Sequence, residues 1–150
     1  MRRAAHSAHP VETGGVLLGV YVEGDRPWVV EAVELPSDAA TGTSYEVGHD
    51  ARPQAVDEAR RRDPRLGYLG DWHSHPADLG PSTVDVATMR RLSTDPVAAC
   101  PHPLLIVVRR SREDGCDLDA RQFGRWRLRQ VQLVLAGGLP RLPIRPLAQP

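Results

Sequence analysis

Apolar residues in the first third of the chain follow the pattern of two strands. Residues 16–22 and 27–35 are rich in Val and Leu, and "EGDRP" between them has the composition of a turn. Residues 35–50 contain many Pro, Gly, Ser and Thr residues, and we interpret them as a loop with a short strand at 44–47. The pattern therefore predicts a hairpin followed by a long loop.

Two later segments have apolar residues at helical spacing. The first is "DARPQAVDEARRRDP", with Asp50 as a candidate cap, and the second is "STVDVATMRRLS". Their inner positions are Ala55, Val56 and Ala59 in the first segment, and Val86, Met89 and Leu92 in the second. The spacing predicts two helices, each with one face toward the core.

The remaining apolar runs predict the rest of a sheet. "RLGYLGDWHSH" is a strand, "PHPLLIVVRR" is a buried central strand, and "CDLDARQFGRWRLRQVQLVLAG" forms two strands that turn near Gly124. A shift in alternation around Gln130 and Val131 indicates a bulge. The predicted fold class is α+β, with a curved, mostly antiparallel sheet flanked by helices. We assign residues 1–136 to one domain and residues 137–150 to an extended, Pro-rich tail.

Composition argues against several classes of protein. The chain of 150 residues has a net charge of zero and a pI near 7.0, so no global field attracts nucleic acid or anionic lipid. We expect no nucleic-acid partner and no membrane partner, because no apolar run approaches the roughly 20 residues that span a bilayer. The start "MRRAAHSAHPVETGG" lacks the apolar core of a secretory signal, and Cys100 and Cys116 are too few for a disulfide scaffold. We expect a cytoplasmic protein with reduced thiols.

Candidate metal ligands are concentrated in "GDWHSHPADLGPSTVD", residues 70–85. Side chains two apart in a strand point to the same face, so His73 and His75 can chelate one ion. Asp85 follows Ser82 by about one helical turn, and a helix start there would present it toward the strand end. Histidine and carboxylate ligands with one open position are typical of catalytic Zn²⁺ sites.

Each of these residues also has an ordinary structural explanation. A His-x-His pair can be two partly exposed histidines, and Ser82-x-x-Asp85 matches a capping box at a helix start. Taken alone, Glu12 in "PVETGGVLLG" would be an exposed carboxylate. The conjunction of these features favours a metal centre over the separate explanations.

The stretch "HSHPADLGPSTVD" resembles the JAMM motif of the JAB1/MPN/Mov34 metalloprotease family. That motif contains a distant Glu, then His-Ser/Thr-His-Pro, a short loop and Ser-x-x-Asp. Glu12 matches the distant Glu, because it precedes a glycine-rich strand start. The resemblance covers about residues 4–135 and is closest to small bacterial JAB-domain proteins that are isopeptidase-like. It implies the MPN/JAMM fold, which is cytidine-deaminase-like.

The resemblance also implies a role for each matching residue. His73, His75 and Asp85 would bind one Zn²⁺ per chain, with water as the remaining ligand. Glu12 would take the proton of that water and pass it to the leaving amine. Ser82 would donate a hydrogen bond to the oxyanion of the tetrahedral intermediate.

The sequence departs from the family pattern in two respects. Six residues separate His75 from Ser82, one fewer than in the common motif. Only eleven residues precede Glu12, so either the family's first strand is missing or the natural start lies upstream of Met1. A missing strand would leave an open sheet edge that favours a dimer or pairing with a partner. Residues 36–50 are the candidate substrate-facing loop, with an added strand alongside an extended peptide.

Three functions remain open on these observations. The leading hypothesis is a zinc-dependent isopeptidase or peptidase that hydrolyses the amide after the C-terminal tail of a ubiquitin-like or sulfur-carrier protein. The alternatives are a non-catalytic MPN-type scaffold or interaction module, and a metal hydrolase of another amide. Retention of every motif position argues against the scaffold.

Overall fold

The computed structural model of the chain describes residues 1–35, 37–48, 50–110, 115–124, 127–137 and 144–145. Its helices are α1 (Arg2–Ala8), α2 (Ala51–Arg62) and α3 (Thr83–Thr94), with a 3₁₀ turn at Glu23–Asp25. Its strands are β1 (Gly14–Val22), β2 (Arg26–Glu34), β3 (Gly67–His75), β4 (Leu104–Arg110), β5 (Cys116–Gly124), β6 (Arg127–Gln130) and β7 (Ile144–Arg145).

The strands form one sheet in the order β2-β1-β3-β4-β5-β6, and β7 lies beside the end of β1. Every neighbouring pair is antiparallel except β3 and β4, which are parallel and are connected through α3. The predicted α+β class with a mostly antiparallel sheet is therefore confirmed. The end of β3 and the start of α3 lie on either side of one short loop, and this junction carries the candidate ligands.

Apolar layers cover both faces of the sheet. On one face, Val16 packs in a cluster with Ala59 of α2 and Met89 of α3. On the other face, Trp72 belongs to a second cluster, against which Ala5 of α1 lies. Strand β1 lies between the two layers and is buried along its whole length. Its position explains its continuous apolar sequence, because both of its faces must be covered.

A glycine in β3 determines which side chains of that strand face the helices α2 and α3. The register between β1 and β3 shifts next to Gly70, whose φ is 147°. A Cβ atom at this position would lie 1.8 Å from the backbone oxygen of Leu104. Both the dihedral angle and the close approach therefore require glycine. The irregularity changes the alternation of side chains, so Tyr68 contacts Asp71 three residues later in the same strand.

The predicted hairpin, both predicted helices and the later strands are confirmed, with differences of a few residues at their ends. The predicted inner faces of α2 and α3 are also largely confirmed. Ala59, Met89 and Leu92 are buried, and Ala55 and Val56 are partly buried against the same cluster.

The loop after β2 and the start of the chain differ from the expectation. The predicted strand at 44–47 is wrong, because this segment folds back on the loop that contains it. Thr41 donates its backbone N–H to the carbonyl of Ser44, and the Tyr45 hydroxyl donates to the carbonyl of Leu35. Helix α1 is not evident in the sequence pattern, since it has seven residues and no buried ones.

The predictions for Val86 and for the bulge are wrong, and the predicted tail lies largely outside the described residues. Val86 is 39% exposed, because α3 reaches the sheet mainly through residues one turn further along. The predicted bulge is absent from the β5–β6 ladder, where β6 simply ends at Gln130. Of the tail assigned to 137–150, the structure describes only residue 137 and the pair Ile144–Arg145. The domain boundary after residue 136 stays a prediction.

The substitution Gly70→Ala tests the constraint in β3. We expect it to lower the free energy of unfolding by at least about 2 kcal/mol, because the side chain meets strained backbone and a neighbouring carbonyl. Urea denaturation followed by circular dichroism measures the change. The matched control is Gly124→Ala, at a strand end where a Cβ atom meets nothing within 4 Å. Equal stability of the two variants would contradict the assignment.

Candidate metal centre

The end of β3 presents two histidines on the face covered by α2 and α3. His73 and His75 are separated by one residue, and their side chains are 10% and 12% exposed. The residues that alternate with them point to the other face. Trp72 donates its indole N–H to the carbonyl of Val33, and Ser74 is buried. One face of the strand therefore presents the candidate ligands, and the opposite face packs in the protein interior.

Asp85 completes a compact group of three donors with these histidines. The Nε2 atoms of His73 and His75 are 3.1 Å apart. The Asp85 carboxylate oxygens lie 3.3 Å from the first of these nitrogens and 3.9 Å from the second. A tetrahedral ion with bonds of about 2.0–2.1 Å separates its ligand atoms by about 3.3–3.4 Å. The three donors are thus close to the spacing of ligands around one metal ion, and together they could hold such an ion.

The start of α3 holds Asp85 in this position. The Asp85 backbone N–H donates to the Ser82 hydroxyl at 3.2 Å, and the Asp85 carboxylate accepts from the Ser82 backbone N–H at 2.6 Å. This arrangement is a complete capping box. The capping interpretation is therefore confirmed, and the cap leaves the Asp85 carboxylate beside the two histidines. Since the Ser82 oxygen acts as an acceptor in the cap, its O–H can still donate to another group.

A carbonyl of the connecting loop orients the second histidine. The Nδ1 atom of His75 lies 2.9 Å from the backbone oxygen of Leu79. A carbonyl can only accept, so this contact places the ring proton on Nδ1 and leaves Nε2 facing the other two donors. Backbone carbonyls commonly fix metal-binding histidines in this way.

The electrostatics of the group favour an ionised carboxylate. Burial acts to raise the pKa of Asp85, and the hydrogen bond and charge of His73 act to lower it. Hydrogen bonds from Ser82 act in the same direction, and together these contacts lower the pKa of Asp85 to about 2. The carboxylate is therefore available as an anionic ligand at neutral pH.

Glu12 lies immediately before β1 and lines the same groove as the three donors. It is 7% exposed, and its backbone N–H donates to the carbonyl of Thr41. The neighbouring Thr13 exchanges two hydrogen bonds with Ser74, at 3.0 Å and 2.7 Å. Burial raises the pKa of the Glu12 carboxyl above its usual value, and the charges of His75 and His73 partly oppose this shift. The exposed-carboxylate explanation for Glu12 is therefore wrong.

An open groove of about 1300 Å³ surrounds the candidate centre. Its walls come from α2, from α3 and from the loop after β2, including most residues from 37 to 48. Leu79 and Val84 flank the opening and are 63% and 71% exposed. The groove is large enough for an extended peptide, and it leads to the group of three donors.

An ion pair between a buried aspartate and a partly exposed arginine at the groove is not predicted by the sequence. The Asp71 carboxylate accepts from the Tyr68 hydroxyl at 2.8 Å and from the Arg52 guanidinium at 3.1 Å. Burial raises the pKa of Asp71, while the charge of Arg52 opposes that shift. One signal was available, since Asp71 precedes His73 by two positions and so shares its face of β3. Its partner on α2 is distant in sequence and carries no such signal.

Comparison with known proteins is consistent with this geometry. The family described as prokaryotic homologs of the JAB domain matches residues 1–128. The chain belongs to this family. A probable metalloprotease of Sinorhizobium fredii is 30% identical over 112 residues, which are 72% of this chain and 68% of that protein. A CD-NTase/cGAS isopeptidase of Enterobacter hormaechei is 34% identical over 101 residues, which are 65% of this chain and 54% of that protein.

Solved structures resemble this JAB-domain chain in fold. A protein of Desulfitobacterium hafniense has a TM-score of 0.62 at 23% identity, covering 90% of this chain and 85% of that one. A protein of Salinibacter ruber has a TM-score of 0.54 at 21% identity, covering 97% and 90%. The family and the two curated relatives support a JAB-type metal-dependent hydrolase in general. Among the described residues, no helix is long and apolar enough to cross a bilayer.

Metal content tests the three-donor group directly. Purified protein incubated with Zn²⁺ and dialysed should retain about one ion per chain, as three protein ligands and an open position provide. The double variant His73→Ala/His75→Ala should retain none, measured by inductively coupled plasma mass spectrometry. The control is His6→Ala/His102→Ala, which removes two histidines outside the group. Equal zinc in both double variants would contradict the assignment.

Proposed function

We propose that this chain is a zinc-dependent isopeptidase or peptidase that hydrolyses the amide after the C-terminal tail of a ubiquitin-like or sulfur-carrier protein. The observation that carries the proposal is the convergence of His73, His75 and Asp85, whose donor atoms lie 3.1 Å, 3.3 Å and 3.9 Å apart. These three side chains would hold the ion and leave one position open. When bound, the ion lowers the pKa of a water that it coordinates and polarises the scissile carbonyl.

Glu12 is the proposed general base. Its carboxylate is buried beside the histidines, and burial raises its pKa toward the range in which a carboxylate exchanges protons efficiently. In the proposed reaction, a Glu12 carboxylate oxygen takes a proton from the attacking water. The same carboxyl group then gives this proton to the leaving nitrogen, which departs as an amine. Glu12 is then a carboxylate again, as it was at the start, and can act in the next turnover.

Ser82 is the proposed donor to the oxyanion. Its oxygen accepts the backbone N–H of Asp85, and this contact directs the hydroxyl from the start of α3. The Ser82 O–H donates to the carbonyl oxygen of the substrate as negative charge develops there. A donor fixed before reaction stabilises this charge without reorganisation.

The shape of the groove supports a protein tail as the substrate. An extended peptide that ends in glycine has no bulky side chain near the scissile bond, and it suits an open groove beside a sheet. Tyr45 to Gly48 line this groove and belong to no strand among the described residues. They are suited to pair with such a peptide. The name of the Enterobacter hormaechei relative favours an isopeptide bond, although that match spans about half of the relative, 54%.

The substitution Glu12→Gln tests the role of the base. We expect zinc content to be unchanged and kcat to fall by about 10²- to 10⁴-fold, because the amide cannot accept a proton. The assay is cleavage of fusions in which a ubiquitin-like or sulfur-carrier protein precedes a reporter. The control is Glu23→Gln, an exposed residue that does not line the groove.

Each outcome of this assay distinguishes the proposed mechanism from one alternative. Unchanged cleavage by Glu12→Gln would remove Glu12 from the mechanism. Zinc-loaded wild-type protein that cleaves none of the fusions would favour another amide substrate. Wild-type protein that binds such a carrier tightly, with the same affinity in Glu12→Gln and without turnover, would favour the scaffold function.

Ser82 offers a second test, because its capping role and its catalytic role respond to the same pair of substitutions. Ser82→Ala should lose about 1 kcal/mol of stability with the cap and about 10²-fold in kcat with the donor. Ser82→Thr retains a hydroxyl and should keep most of both. Parallel measurements of urea denaturation and fusion cleavage separate the two roles. Full activity of Ser82→Ala would exclude it as an oxyanion donor.

A further inference from the structure

A second cluster of charged side chains lies against the loop of residues 76–81. Asp119 of β5 is 7% exposed, and its carboxylate is paired with the Arg121 guanidinium through two hydrogen bonds of 2.9 Å and 3.0 Å. Arg109 of β4 forms an ion pair with Asp78 of the loop at 3.1 Å. We call these four residues the loop cluster. None of them belongs to the three-donor group or to the proposed proton transfers.

The loop rests on this cluster at two points on either side of Leu79. A Cβ atom at Gly80 would lie 3.2 Å from the Asp119 carboxylate and 3.5 Å from the Arg121 guanidinium, so the Gly80 backbone approaches the pair closely. Asp78 supplies the other point through Arg109. The residue between them contributes the carbonyl that accepts from His75 Nδ1.

The strand register brings the cluster to this place. Arg109 is the partner of His75 in the parallel pairing of β3 and β4. Asp119 is the partner of Val107 in the next pairing, between β4 and β5. Side chains of β4 and β5 therefore contact the loop of residues 76–81. This loop follows β3 at the same end of the sheet. The hydrogen bonds from Arg121 lower the pKa of Asp119 against the opposing effect of burial, and the charges of Arg121 and Arg109 add to this shift. The carboxylate is therefore ionised at neutral pH.

We propose that Asp119, with Arg121 and Arg109, is a positioning group that fixes the Leu79 carbonyl and thereby directs His75 Nε2 toward the metal. This inference rests on the proposed function and deepens it, because it names what holds one ligand in place. A loop of six residues between the second histidine and the helix cap has little slack, so a fixed support determines where its carbonyl lies. Partners that orient metal ligands commonly contribute 10- to 100-fold to metal affinity.

An ordinary ion pair in the same chain provides a matched control. Asp63 and Arg65 have the same separation in sequence as Asp119 and Arg121, and they form the same two-pronged contact. That pair is exposed and lies outside the loop and the three-donor group. Substituting Asn for either aspartate removes one negative charge, so the two variants have equal net charge. They differ in whether the carboxylate supports the loop.

The test compares Asp119→Asn with Asp63→Asn and wild-type protein, each as the full chain. Zn²⁺ affinity is measured by competition with a chelating dye. We expect affinity to fall about 10- to 100-fold in Asp119→Asn and to change less than about twofold in Asp63→Asn. A second readout is the ¹H–¹⁵N NMR signal of His75 Nδ1–H in the zinc-loaded protein, which should be present in wild type and exchange-broadened in Asp119→Asn.

The possible results separate this inference from the proposed function. Wild-type protein that binds no Zn²⁺ contradicts the proposed function, and this inference fails with it. Equal Zn²⁺ affinity and an unchanged His75 signal in Asp119→Asn overturn the inference alone. If Asp119→Asn does not fold, Asp78→Asn replaces it, because Asp78 is half-exposed. That variant should bind Zn²⁺ about tenfold more weakly, and unchanged affinity would overturn the inference.

Discussion

The register between β1 and β3 is the constraint on which the rest of the site depends. Gly14 pairs with His73, and just beyond them Thr13 and Ser74 exchange two backbone-anchored hydrogen bonds. This pairing determines where Glu12 lies relative to the histidines. Because side chains alternate along a strand, a slip of one residue would turn both histidines to the opposite face. Burial of β1 on both faces makes such a slip costly, so the packing of the core protects the geometry of the groove.

Pairs of a buried carboxylate with a partly exposed arginine occur at two places around the candidate centre. Asp71 and Arg52 join β3 to α2 at the groove, and Asp119 and Arg121 lie against the loop that leads to α3. Removing charged groups from water is expensive, and pairing offsets this cost without necessarily adding stability. These pairs fix orientation, most strongly at Asp119, where the two-pronged contact with Arg121 defines position as well as distance. The site is thus built from a rigid apolar sheet and a small number of oriented charges.

The sequence predicts those parts of the site that depend on local geometry. The histidines share a face because they are two apart in a strand, and Asp85 follows from a helix start that its own residues specify. The burial of Glu12 and the role of Asp119 depend on pairings between strands that are distant along the chain. No local pattern encodes them. At 44–47 the local composition predicts a strand that does not form. Contacts of the Tyr45 side chain hold this segment in a loop instead.

The capping box at the start of α3 has an evolutionary consequence. Asp85 satisfies a backbone N–H of its own helix, so part of its value to the protein is independent of any catalysis. A lineage in which the activity is no longer under selection would still be penalised for losing this carboxylate, because the helix would begin less favourably. The histidine side chains contribute less to the fold, because β3 pairs through its backbone and the contact of His75 with the Leu79 carbonyl is a single hydrogen bond. Decay of the site would therefore be expected to start in β3, and a descendant without activity would keep the serine and the aspartate longest.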